Sequence, residues 1–270
     1  MKLMLLKTTL CTALLTGFVT VVLAQKNDEI QGESRFAPRT IKIDGKNFEW
    51  KDTDFSVSKR TGLSYIVSND DKNLYLIIKS TDVTNNEKIM AGGITFSVNP
   101  EGKRIEKESI RLTYPVVEQL RTGSTGSVVV SYATSNVKNP EQDAYMAARH
   151  KKKLEKAKEI KIRGFKNTTD TLLSIYNDLG IKTFANIEKD NSFFCEVSIP
   201  LEGLGISIKG SNSFAYNVKV NGIQMPGLDN NRIIVAPPPG VSGGNFDGGM
   251  DDQAMTSSTD FWGKYKLAKH

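Results

Sequence analysis

Histidine is the side chain best suited to moving protons near neutral pH, and this sequence holds two, His150 and His270. One stands inside a lysine-rich stretch and the other is the last residue, so a triad built on imidazole is not expected. Two cysteines, Cys11 and Cys195, make a poor zinc set with two histidines, and no metal site is expected. Glycoside hydrolysis needs only two carboxylates at a set separation. Glu196 and Glu202 offer such a pair, yet nothing in their setting marks them as more than strand-surface charge. Axial haem ligation would draw on Met90 or Met225 with His150, but methionine among apolar neighbours reads as core. Asp70-Asp71 lacks the further oxygen ligands that calcium needs and reads as a hairpin tip. No catalytic residue and no cofactor is expected, and the chain reads as a non-enzyme.

The elements that would position any site are mostly strands. Runs rich in β-branched and aromatic residues recur at 41–43, 55–58, 63–68, 74–80, 93–98, 109–114 and 127–133, then again at 181–187, 193–199, 214–220 and 232–236. Turn-forming clusters at Asn69 to Asn73 and Asn99 to Lys103 predict hairpins. In 193–199, Phe193, Cys195, Val197 and Ile199 alternate with Phe194, Glu196 and Ser198, which predicts a strand with one face in the core and Cys195 as a buried thiol. Asn139-Pro140-Glu141-Gln142 combines an N-cap, a first-turn proline and a capping-box partner, so a helical insertion is expected over 139–160. Its small-residue stripe of Ala144, Ala147, Ala148, Leu154 and Ala157 would lie on a sheet, and its lysines would face water. Residues 160–165 are expected to return to strand, and 168–180 stays open between a helix and a long connection. Residues 237–258 are rich in Gly, Pro, Asp and Ser and are expected to form a mobile loop, after which 260–267 recovers strand character. The fold class is mainly β: a single antiparallel domain over 40–268, preceded by a flexible segment over 25–39.

Compartment follows from the first residues. Lys2 and Lys7, an apolar run from Leu10 to Leu23 and the small residue Ala24 predict a signal peptide over 1–24, cut before Gln25. The run is too short and too interrupted by threonine for a membrane span, so an exported protein, periplasmic, at the outer cell surface or extracellular, is expected with no span in its mature form. The formal net charge of +6 is concentrated between Arg149 and Arg163, where interleaved Glu155 and Glu159 read as an ordinary solvated helix. Nucleic acid is not an expected partner for an exported chain.

Ile43-Asp44-Gly45 with Trp50, then Asn73-Leu74-Tyr75-Leu76, Ile199-Pro200-Leu201, Leu204-Gly205-Ile206 and finally Phe261-Trp262-Gly263 together resemble the pattern of carbohydrate-binding module family 9, whose wider relatives are the DOMON-like β-sandwiches of exported bacterial proteins. The resemblance spans roughly Ile41 to Leu267 and implies a jelly-roll-like sandwich. It also implies sugar held between aromatic rings, because a pyranose has an apolar face for stacking and a hydroxyl rim that needs hydrogen-bond partners. Trp50 and Trp262, the two tryptophans, are the ligand-binding candidates; both fall in structural motifs at strand positions, where burial is the expectation. The inserted helix and the Gly-rich loop have no counterpart in the pattern. A binding module for a carbohydrate or cell-envelope glycan is the function expected, with an envelope structural or protein-interaction role as the alternative and hydrolase or haem-binding roles behind both.

Overall fold

A computed structural model of the chain describes residues 30–117, 121–122, 127–130, 140–210, 213–222, 233–235 and 255–269. The expected signal peptide and its cut, most of the Gly/Pro-rich loop, Met225 and His270 lie outside the described residues. The strands are β1 (Arg35–Phe36), β2 (Ser56–Ser58), β3 (Leu63–Asn69), β4 (Asn73–Ser80), β5 (Ile94–Asn99), β6 (Ile110–Tyr114), β7 (Arg121–Thr122), β8 (Ser127–Val130), β9 (Glu159–Arg163), β10 (Leu172–Ser174), β11 (Lys182–Ile187), β12 (Phe193–Pro200), β13 (Phe214–Val220), β14 (Ile233–Val235) and β15 (Thr259–Tyr265). The helices are α1 (Val83–Gly92) and α2 (Pro140–Lys156).

Most of the strands form two sheets. The first runs β1-β3-β4-β12-β11 with β2 added to β3, the second runs β10-β9-β6-β5-β13-β15, and β14-β8-β7 make a small third sheet. Neighbours are antiparallel except β1 with β3 and β14 with β8. Period-two alternation sends Leu63, Tyr65 and Val67, Leu74, Leu76 and Ile78, and Phe193, Cys195, Val197 and Ile199 from the first sheet into one core. Phe96, Val98, Leu112, Ile162, Tyr216 and Val218 meet them from the second. The chain is therefore a β-sandwich, and each large apolar side chain buried there contributes about 1.5–3 kcal/mol. Gly263 makes room for one of them. A Cβ at that position would lie 2.2 Å from the Tyr216 ring, so the glycine of Phe261-Trp262-Gly263 is a packing requirement.

Four expectations are corrected. First, β12 is covered on both faces: Phe194, Glu196 and Ser198 are as closed to water as their alternates. The cover is the stretch leading from β1 to β2, where Ala37, Trp50 and the half-buried Ile41, Ile43 and Phe55 pack on Ile66, Tyr75, Ile77 and Phe194. Residues 41–43 are consequently part of an irregular outer layer and not a strand. Second, the segment expected to be flexible is docked from Gln31 onward. The Gln31 amide donates to the Val67 carbonyl and accepts from the Val67 amide, both at 2.8 Å, and β1 pairs with β3. A polar composition with few apolar residues hides this, because the docking is made by hydrogen bonds to a strand edge.

Third, α1 was not expected. Its Val-Thr-Asn-Asn start has poor intrinsic propensity, but Asp82 caps it by accepting from the Asn85 amide at 2.7 Å and its inner face buries Ile89 and Met90. Fourth, α2 starts at Pro140 but ends at Lys156, and β9 starts at Glu159. Its inward stripe is Met146, Ala147, His150 and Leu154, with Ala144 and Ala148 outside. In the stretch 168–180, β10 and a run of turns replace any helix.

Candidate functional site

The inner-face side chains of the second sheet fill the core, so their alternates point away from it, and most of these are polar. Cross-strand registers line them up in rows. One row carries Asp260, Lys219, Thr95, Thr113 and Lys161 across β15, β13, β5, β6 and β9. The next carries Trp262, Asn217, Ser97, Arg111 and Arg163 across the same strands. A cleft of about 830 Å³ opens over the first row.

The floor of the cleft is already hydrogen-bonded within itself. Asn221 Nδ2 donates to the Gly92 carbonyl at 2.8 Å and to Thr95 Oγ1 at 2.9 Å, and Thr95 Oγ1 lies 2.8 Å from Thr113 Oγ1. Gly222 closes one end, where a Cβ would lie 1.8 Å from the Thr256 carbonyl oxygen, so only glycine allows the two backbones to approach. Glu106 reaches over from the turn before β6. It pairs with Lys219, and with Arg111 at 3.4 Å. The Lys219 bond, helped by Arg111, holds the Glu106 carboxyl below its ordinary range. Such a surface, with hydroxyls, an amide and guanidinium and ammonium groups converging on one volume, can bind a ligand rich in hydrogen-bonding groups.

The two tryptophans part company. Trp50 is 7% exposed and belongs to the outer layer on the first sheet. Trp262 is half-buried on the outer face of the second sheet, opposite Asn217 at the edge-strand end of the row that holds Ser97 and Arg111. Trp262 shares its face with the cleft but is not among the residues that line it. The cleft residues themselves were not singled out from the sequence, since threonines, asparagines and lysines alternating along strands read simply as a solvated face.

The remaining chemical candidates have structural settings. His150 is closed to solvent: its Nε2 lies 2.8 Å from Glu87 Oε1 and its Nδ1 lies 2.9 Å from Asn191 Oδ1. Glu87 and Asn191 are equally buried, so this histidine-centred set has no access to substrate. Met90 is in the core. Glu196 is buried under the Asp44-Gly45 turn, accepting from the Asp44 amide at 3.0 Å and the Gly45 amide at 2.8 Å, whereas Glu202 is exposed in the turn beyond β12. Burial pushes the Glu196 carboxyl up to about 7 against the pull of those two amides. Asp70 accepts from the Lys72 and Asn73 amides and from the Tyr75 hydroxyl, which makes it the hairpin's own cap. Cys195 is a buried free thiol whose pKa burial drives upward. Among the described residues no group of three or more histidine, cysteine, aspartate or glutamate side chains could hold a metal, and no helix is long and apolar enough to cross a membrane.

No family model and no curated protein matches the chain. Among solved structures it is similar to a carbohydrate-binding module of family 9 from Caldicellulosiruptor kristjanssonii in complex with glucose, at 10% identity and a TM-score of 0.39, over 88% of this chain and 96% of that one. At that level neither a ligand nor a site carries across to this chain.

Proposed function

We propose that this chain is an exported, non-enzymatic binding module for a carbohydrate or cell-envelope glycan, and that it binds at the cleft on the outer face of the second sheet. The observation that carries this reading is the cleft's floor. Asn221, Thr95 and Thr113 are held in place by one another before any ligand arrives, so little side-chain order is lost on binding. Trp262 stands on the same face at the edge strand, outside the cleft lining, and offers a stacking ring to a glycan long enough to extend from the cleft to β15. Export rests on the leader pattern of Lys2, Lys7 and the apolar run to Ala24.

Binding of the purified chain to an array of neutral and acidic glycans tests the reading. Retention of at least one glycan, weakened about tenfold or more by Asn221→Ala with the melting temperature held, is the expected result. Absence of binding to every glycan would leave an envelope structural role without sugar binding in its place.

A further inference from the structure

The charge of the cleft identifies its ligand more closely, on the premise that the cleft binds a glycan at all. Arg111, Lys161, Arg163 and Lys219 line it, with Glu106 as the one acidic residue among the lining groups described. Glu106 is already committed to Lys219 and Arg111. Lys161 and Arg163 are exposed on β9, and among the described residues neither has an ion-pair partner.

The register adds a second observation. Arg111 and Arg163 are directly opposite one another on β6 and β9, with Lys161 two positions along opposite Thr113. Like charges facing across a strand pair are destabilising, and a sheet that needed only solubility would alternate the signs. Arg111 Nε also sits out of water with no hydrogen-bond partner. Two guanidinium-bearing residues at facing positions on one cleft wall supply the donors that a carboxylate takes.

We propose that the ligand is an acidic glycan, with a uronate carboxylate seated between Arg111 and Arg163, Lys161 beside it, and the sugar hydroxyls over Thr95, Thr113 and Asn221. Glu106 offsets Arg111 and Lys219 but not Lys161 and Arg163, so the attraction is strongest for a ligand that brings negative charge.

The test is calorimetric titration of the purified chain with polygalacturonate, polymannuronate and hyaluronate, each alongside its carboxyl-reduced neutral form. At least one polyuronate is expected to bind at least tenfold more tightly than its reduced form, with affinity falling as salt rises. Arg163→Gln and the pair Lys161→Gln with Arg163→Gln are expected to lose that preference while unfolding no earlier than the wild type, since they remove a like-charge contact. If an acid and its reduced form bind equally, the inference on charge is overturned and the glycan reading survives. If no polyuronate, reduced form or arrayed glycan binds, both fall together. Displacement by inorganic phosphate at the same concentration as by methyl galacturonate would also overturn the proposal, because it would mark a bare anion site.

Discussion

His150 Nε2 and Glu87 Oε1 lie 2.8 Å apart, joining the middle of α2 to the middle of α1 across 63 positions of sequence, with neither side chain open to solvent. On the other side of the ring, Asn191 belongs to the turn between β11 and β12, and Asn86 Nδ2 donates to the Asn191 carbonyl at 2.5 Å. The cluster therefore ties two helices and a hairpin turn into one body.

Removing one partner of such a pair leaves a buried polar group with neither water nor a neighbour. His150→Ala, which leaves Glu87 Oε1 without its buried hydrogen-bond partner, is expected to lower stability by about 1–3 kcal/mol in urea unfolding. The double variant Glu87→Gln with His150→Gln, whose two amides can hydrogen-bond to each other, should recover a measurable part of that loss. Equal losses in both variants would mean that the contact is packing alone.

Glu196 makes stability depend on pH. Its folded pKa stands at about 7 against 4.5 for a free side chain, because burial disfavours the charged form. Between about 4.5 and about 7 the folded chain keeps a proton that the unfolded chain has released, so stability falls as pH rises through that window. Glu196→Gln keeps an oxygen to accept from the Asp44 and Gly45 amides and cannot titrate. Relative to the wild type it should gain stability between pH 5 and pH 8 in matched denaturant titrations, and a constant difference would refute the assignment.

Trp50 and Trp262 should respond in opposite ways to the same substitution. Trp50→Ala empties a site in the outer layer of the first sheet and is expected to cost about 3–5 kcal/mol. Trp262→Ala, at a half-buried edge position, is expected to cost about 1 kcal/mol while weakening glycan binding. Single-tryptophan fluorescence separates them: acrylamide and ligand should quench the emission of Trp262 and leave that of Trp50 unchanged.

Class of fold was legible in the sequence because alternation is local. Phe193, Cys195, Val197 and Ile199 announce a core-facing strand whatever lies beside them, and Asn139-Pro140 marks the start of a helix by backbone chemistry alone. What covers the other face of a strand is not local. Glu196 reads as surface charge until the stretch from Ala37 to Phe55 folds over it, and His150 reads as one more solvated residue of a basic helix until α1 brings Glu87 to its ring. Tertiary structure also decided the site. Thr95, Thr113, Arg111, Arg163, Lys219 and Asn221 come from four strands and the segment just after β13, spread across 126 positions of sequence. Only the pairing register sets their side chains on one face, because a strand fixes the side to which each residue points while its neighbours are chosen by the sheet.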